Sequence, residues 1–404
     1  MALSFNDARS LILESAAPLG VERLPLLDAF GRVLAGEIRA PWDLPRWNNS
    51  AMDGYAVRAA DCHAPATELA IAGYLPAGAC ASGVCLPSGG AIKIMTGAPI
   101  PANCDAVVPV EETEGEGEIV RILAPVKAGD HIRWQGEDVK SGEVIMPAGT
   151  VLRPAEISML ASFGQVFASV HRQPRVAILS TGDELVKLGE VCGEGQIVDS
   201  NSLSLAAAVR EAGGEAILLG IARDERNSLL PLLREGLEAD ILITSAGVSA
   251  GDRDFVREVL AELGVHQHFW KIDIKPGRPT AFGVRGDTLI FALPGNPVST
   301  LVTFEMFVRP ALRRLLGYQR VIQPTVRAVL GESIDKKPGR TQFLRVQVRE
   351  EGETLVASSS GDQNTGILRS MVRANAIAIL SSDAGQLSAG SSVEIHLLDP
   401  SGLV

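Results

Sequence analysis

Three observations predict an α/β multidomain fold, with a central doubly wound, largely parallel α/β domain flanked by mostly β modules and an N-terminal α/β segment. First, short continuous apolar runs at 176–179, 216–221, 241–244 and 289–293 alternate with helix-like stretches at 203–212, 228–237, 255–263 and 299–316. Apolar strands that do not alternate with polar residues indicate a sheet covered on both faces. Second, glycine-bearing loops follow three of those strands at the carboxyl end, where sheets of this kind bind ligands. Third, the texture on either side changes to proline-rich turns and short β runs. At about 150 residues per domain, the 404 residues suggest two to four domains. The expected partition is 1–42 with 128–170, then 43–127, 171–318 and 319–404.

In chain order, Ser4 followed by Asp7 is a capping-box pattern, with Ala8, Leu11 and Ile12 on one helix face. A second short helix is expected near Asp28. Beyond Ala40, β runs are expected at 91–95 and 105–110, and the acidic stretch 111–118 reads as a solvated hairpin turn. Gly115-x-Gly117 opens no helix, so it does not support a dinucleotide loop. Residues 125–153 are β-like, with turns at 128–130 and 141–143, and 154–164 is a helix entered through proline. Five β runs between 325 and 398 close the chain as a small barrel or sandwich.

Composition narrows the function. Hydrophobic residues at 46% and charged residues at 21% exclude a mainly disordered chain. A net charge of −11 excludes a broad nucleic-acid footprint, so an anionic ligand must be held by local groups against the overall field. No apolar run reaches the ~20 residues of a membrane span. Asp7, Arg9 and Glu14 interrupt a signal peptide's apolar region, so a cytoplasmic location is expected. Five scattered cysteines without a C-x-x-C pair indicate neither a disulfide framework nor a thiolate zinc site.

The three loops are Ser180-Thr181-Gly182-Asp183-Glu184-Leu185, the stretch from Ser245 to Asp254 with Gly247, Ser249 and Gly251, and Pro294-Gly295-Asn296-Pro297-Val298-Ser299. Glycines admit a ligand to the backbone, and the following helix N-terminus favours phosphate. Ser, Thr and Asp also serve simply as helix caps; three such loops on one sheet edge favour a ligand site. In the next stretch Lys271, Asp273 and Lys275 alternate with Ile272 and Ile274, and Arg278 follows. Period 2 puts the lysines on one face as candidate oxyanion ligands, with Asp273 placed to hold one of them. Asp183, Glu184, Asp252 and Asp254 suggest a hard cation, and Mg²⁺ suits one or two carboxylates plus phosphate oxygens. His266-x-His268 lacks a third zinc ligand and reads as surface or packing. A nucleophile elbow, a P-loop and a dinucleotide fingerprint are all absent.

In order, these loops resemble those of the MoeA-type molybdopterin molybdenumtransferases, the family that includes the C-terminal region of gephyrin. Further pieces are Asn49–Val57, Met95-Thr96-Gly97-Ala98, Asp105–Val108, Gly136-Glu137-Asp138, Asp199-Ser200-Asn201 and Lys275–Pro279. The resemblance implies that adenylylated molybdopterin and molybdate bind in an α/β domain of the molybdopterin-binding type. Pterin dithiolene sulfurs would take the metal, and AMP would be released with Mg²⁺ assisting. It also implies that Asp53, Thr96 and Asp138 complete the pocket, the Asp53 segment coming from the second subunit of a homodimer. Asp53, Asp138, Glu184 and Asp254 are then the catalytic residues, with Glu184 and Asp254 holding the metal. Arg340 and Arg345 fall in a basic segment that would contact anionic substrate or form solvated strand ends. The adenylylating enzyme and cofactor-accepting apoenzymes would be partners. The alternatives are a molybdopterin adenylyltransferase, against which the flanking β modules argue, and a gephyrin-like scaffold, whose long linker is not seen. One departure stands out: the family's Gly-Gly turn here reads Ala246-Gly247. A requirement for positive φ at Ala246 would cost about 1 kcal/mol and slightly weaken binding.

Overall fold

The computed structural model describes residues 2–115, 117–247 and 255–398. The chain divides into two compact units, one of Met1–Ala35, Gly149–Pro154 and Phe167–Val404, the other of Gly36–Ala148 and Ala155–Val166.

The first unit holds the α/β region. Its elements in chain order are β1 (Arg175–Thr181), α1 (Asn201–Glu211), β2 (Glu215–Ala222), α2 (Arg226–Gly236), β3 (Ile241–Ser245), α3 (Phe255–Glu262), β4 (His266–Phe269), β5 (Ala281–Arg285), β6 (Thr288–Leu293) and α4 (Pro297–Thr303). The sheet order is β2-β1-β3-β6-β5-β4. The first four strands are parallel, and β5 and β4 extend the sheet antiparallel. Successive strand residues serve opposite faces. Val176, Ile178, Ile241, Ile243 and Phe291 pack beneath α1 and the 297–315 helix. Ala177, Leu179, Leu242 and Ile290 pack beneath α2 and α3 through Leu229, Leu233, Val256 and Val259. This two-sided burial is why the strands read as unbroken apolar runs.

The helix expected over 299–316 is interrupted: α4 passes into a π-helical turn at Phe304–Val308 before a helix at Arg309–Leu315. Pro310 offers no N–H to the carbonyl four residues earlier, which loosens the ladder at this point. The N-terminal helix Phe5–Glu14 forms as expected, with Ser4 Oγ accepting from Asp7 N, and seats Phe5, Ala8 and Ile12 in the same core. The short helix expected near Asp28 does not form. Ala29 N bonds Pro25 O and Arg32 N bonds Ala29 O, but Gly31 at φ +75° ends the coil after a single turn.

The C-terminal strands close on themselves. Thr341–Glu351 pairs with both Thr354–Ser359 and Ala376–Leu380, while Val326–Leu330 and Ser392–Leu397 complete the ring. Ile274–Lys275 adds to this barrel, not to the α/β sheet, by pairing parallel with Thr341 and Gln342. In the second unit a six-stranded mixed sheet carries Gly54–Val57 between Ala106–Pro109 and Gly90–Ile94, with apolar clusters on both faces. Among the described residues no helix is long and apolar enough to cross a membrane.

Candidate functional site

A cleft of about 490 Å³ opens at the carboxyl ends of the parallel strands. The turn after β1 supplies Thr181, Gly182 and Glu184. Gly182 has φ +148°, and a Cβ there would run into the Glu184 carboxylate, which folds back over the turn. Arg223 holds that turn by donating from Nη1 to Asp183 O at 2.7 Å. The turn after β3 supplies Ser245, Ala246 and Gly247, the last two at φ +73° and +75°. A Cβ on Gly247 would lie 2.5 Å from Val256 Cγ2, so glycine is required both for space and for backbone shape. The turn after β6 supplies Pro294, Gly295, Asn296 and Pro297, and α4 begins at that proline. Thr300 Oγ1 braces this turn from within the helix, donating to Pro294 O at 2.5 Å.

Two further elements reach the wall. Asp199, Ser200 and Asn201 stand at the start of α1, and Asp224 follows β2. Asn201 Nδ2 donates to Ser245 Oγ at 2.8 Å and to Gly295 O at 2.7 Å, linking two of the turns. The wall therefore carries three carboxylates, Glu184, Asp199 and Asp224, and no lysine or arginine among its described residues. Burial pushes the Asp224 pKa up, and the nearby Asp183 and Glu184 charges push it further. Thr181 Oγ1 and Asn201 Oδ1 are buried without a hydrogen-bond partner.

These donors fit a hard cation that shares its shell with ligand oxygens. Mg²⁺ typically takes one or two carboxylates and keeps waters. No group of three His, Cys, Asp or Glu among the described residues forms a protein cage, which fits a zinc-type site poorly.

Of the residues expected from sequence, Thr181, Gly182, Glu184, Gly247, Pro294, Gly295 and Pro297 come together on this wall. Asp183 is exposed and off it, its carboxylate accepting from Asp224 N. Ser249, Gly251, Asp252 and Asp254 lie outside the described residues. Ser299 is 3% exposed and does not line the wall; its backbone carbonyl accepts from Thr303 Oγ1.

The basic stretch differs from expectation. Ile272 and Ile274 are buried and Lys271 and Lys275 exposed, as period 2 requires, but only Pro279 of this stretch lines the cleft. Asp273 faces Arg278, at 4.0 Å, and not a lysine. Arg345 is neither a solvated strand end nor a wall residue. It is 1% exposed, donating from Nε to Ser370 Oγ and from Nη2 to Asp362 O and Asn364 O, so its guanidinium knits the barrel's own loops. Arg340 is exposed. His268 stacks on Phe282 at 5.6 Å, in keeping with a packing role.

In the second unit Asp53 Oδ1 accepts from Thr96 N and from Thr96 Oγ1, both at 2.7 Å. Those bonds hold the Asp53 carboxyl below the usual range. Asp138 is exposed, its N–H donating to Leu44 O.

Sequence reasoning missed Asp224. The signal was available, because Asp224 follows the carboxyl end of a fourth parallel strand, but its loop has no glycine to draw attention. The pair of hydrogen bonds that Asn201 donates had no signal in sequence.

Residues 3–164 match the MoeA N-terminal region (domain I and II), 177–314 a probable molybdopterin binding domain, and 327–398 the MoeA C-terminal region (domain IV). A molybdopterin molybdenumtransferase of Haemophilus influenzae is 38% identical across 98% of this chain and 100% of its own. The chain belongs to the MoeA family. Another MoeA relative, molybdopterin molybdenumtransferase 2 of Mycobacterium tuberculosis, is 38% identical over 92% of this chain and 94% of its own. The crystal structure of the molybdopterin biosynthesis MoeA protein of Pyrococcus horikoshii superposes with a TM-score of 0.84. It is 32% identical, covering 98% of this chain and all of that one. The two molybdenumtransferases are named as enzymes, and the chain's α/β multidomain fold is in keeping with the match to the Pyrococcus structure.

Proposed function

We propose that this MoeA-family chain inserts molybdenum into molybdopterin, taking adenylylated molybdopterin and molybdate and releasing AMP at the last step of molybdenum cofactor biosynthesis. The observation that carries this reading is the cleft, whose wall joins three glycine-bearing turns to three carboxylates, with no cationic side chain among its described residues. A pyrophosphate-linked ligand fits turns of that kind, and the first turn of α4 presents N–H groups and a positive dipole end to it.

Glu184 and Asp224 would hold Mg²⁺, with Asp254 joining from the segment beyond description. Bound there, Mg²⁺ would offset the charge of the phosphoanhydride. The chain's own groups orient the ligand: Gly182 and Gly247 let it approach the backbone, while Arg223 and Asn201 hold the turns that carry them. Water opens the anhydride to give AMP. The pterin's two thiols, and not a cysteine, would receive molybdenum, their protons leaving with one molybdate oxygen as water. No cysteine lines the cleft, and burial pushes the Cys62 thiol to about 11 and that of Cys104 to about 12.

The exposed Lys271, Lys275 and Arg278 supply positive charge for molybdate. The proposal includes a cytoplasmic homodimer in which Asp53, Thr96 and Asp138 complete the pocket, the Asp53 segment coming from the second copy, and transient partners that deliver the substrate and accept the cofactor. The test supplies adenylylated molybdopterin, molybdate and Mg²⁺, and follows AMP release alongside reconstitution of a molybdenum-dependent apoenzyme. Both should proceed together. Adenylylated product formed from ATP and molybdopterin without molybdate would replace the reading with adenylyl transfer.

A further inference from the structure

We infer that Asn201 is a positioning residue, a tie that holds the turns after β3 and β6 in their ligand-ready conformation before substrate arrives. The inference rests on the proposed function for its choice of substrate, while the tie itself is a matter of geometry. One amide nitrogen spends its two hydrogens on two different turns, Ser245 Oγ at 2.8 Å and Gly295 O at 2.7 Å. The Ser245 end is sheltered from water, with Asn201 9% exposed and Ser245 2%, while Gly295 stands at the exposed rim of the cleft. At the Ser245 end a lost hydrogen bond leaves its partner unpaired instead of passing it to solvent.

The base of the tie is rigid. Asn201 is the first residue of α1, where Asp199 Oδ1 accepts from Ser202 N and Ser204 Oγ donates to the Asn201 carbonyl. The tethered turns are those with most to lose. Ala246 and Gly247 both sit at positive φ, and the Ala246 methyl is packed towards Gly295. Among side chains of this length, only the carboxamide offers two donors from one atom. A carboxylate in its place could accept from the Ser245 hydroxyl but would set oxygen against the Gly295 carbonyl.

A ligand entering pre-ordered turns does not bear the entropy of ordering them. Cutting the tie therefore weakens binding. The carboxylates Glu184 and Asp224, which stand on other turns, keep their places, so turnover of bound substrate is preserved.

The test compares full-length wild type, Asn201→Asp, Ser245→Ala and the control Leu229→Val, which trims the core on the opposite sheet face. The assay uses adenylylated molybdopterin with saturating molybdate and Mg²⁺. Asn201→Asp is expected to raise KM at least tenfold with kcat within twofold. Ser245→Ala, which cuts one end of the tie, should raise KM about threefold, and Leu229→Val should leave KM alone. An unchanged KM in either tie variant, or kcat falling in step with the folded fraction, overturns the inference. Where Asn201→Asp does not fold, Ser245→Ala decides on the same criterion. A wild type that transfers no molybdenum sinks the functional reading alone. Amide hydrogen exchange at 245–247 and at Leu293, Gly295 and Asn296 then reads the tie directly, with faster exchange expected in the tie variants and equal exchange overturning it.

Discussion

The methyl carbon of Ala246 lies 3.1 Å from the position a Cβ would take on Gly295. The two turns thus share one small space, which admits an alanine on the first only because the second has a glycine. Ala246 occupies left-handed backbone, where a Cβ costs about 1 kcal/mol. Ala246→Gly should therefore tighten substrate binding modestly, and an unchanged insertion rate and KM would show that the methyl is harmless. Gly295→Ala should lower kcat/KM, and Ala246→Gly in that background should restore part of the loss. A double-mutant cycle should give a coupling on the order of 0.5–3 kcal/mol, as for residues in contact.

Asp224 carries an elevated pKa, caused first by burial and then by the Asp183 and Glu184 charges. Ionised Asp224 therefore opposes folding once pH rises through that elevated value. Asp224→Asn should leave the melting temperature at pH 7 equal or higher while lowering insertion activity. Added Mg²⁺ should raise the melting temperature of wild type more than that of the variant. Equal metal-induced shifts would remove Asp224 from the cation site.

Glu305, in the π-helical turn, reaches a barrel residue: His396 Nε2 lies 3.5 Å from its Oε2, and Arg309 Nε lies 2.7 Å from the same oxygen. Burial pushes the Glu305 pKa up, but the His396 and Arg309 contacts outweigh it and hold the carboxyl below its ordinary value of 4.5. A depressed pKa stabilises the fold fully above that ordinary value, and the contribution disappears as pH falls through the folded-state value. Glu305→Gln should cost on the order of 1–3 kcal/mol at pH 7, because it weakens charge-assisted bonds to Arg309, which keeps its ion pair with Glu211. Its acid limb in thermal melts should be shallower than that of wild type, and parallel limbs would exclude Glu305 as the cause.

Thr96 donates both bonds that lower the Asp53 pKa. Thr96→Val removes one of them, so Asp53 should protonate at higher pH. If Asp53 serves the reaction, the acid limb of the pH–activity profile moves upward in Thr96→Val and the fold is unaffected. A superimposable profile would mean that Asp53 is not among the groups titrating there.

Much of the α/β core was legible because two-sided burial leaves an unmistakable mark: Val176–Leu179 and Ile241–Ile243 are apolar at every position, and helical periodicity separates them. The cleft turns were legible for a similar reason, since positive φ at Gly247 and the close approach at Gly182 demand glycine. What depended on tertiary partners was not legible. Lys271–Lys275 alternates as a strand should, yet nothing in that pattern reveals that Ile274 pairs with Thr341 of the barrel. Arg345 looks from sequence like a surface cation because its acceptors, the carbonyls of Asp362 and Asn364 and the Ser370 hydroxyl, come from loops some twenty residues on. A carboxylate without a glycine beside it, such as Asp224, shows its place only once the strands are laid in order.

Calorimetric titration of adenylylated molybdopterin into wild type, Glu184→Gln and Asp224→Asn, with and without Mg²⁺, puts the cleft itself to the test. Binding should be tight in wild type with Mg²⁺, weaker by tenfold or more without it, and largely insensitive to Mg²⁺ in both variants. Equal affinity with and without the ion in wild type, or undiminished Mg²⁺-dependent binding in both variants, would contradict the assignment of this cleft as the place where the nucleotide conjugate is held.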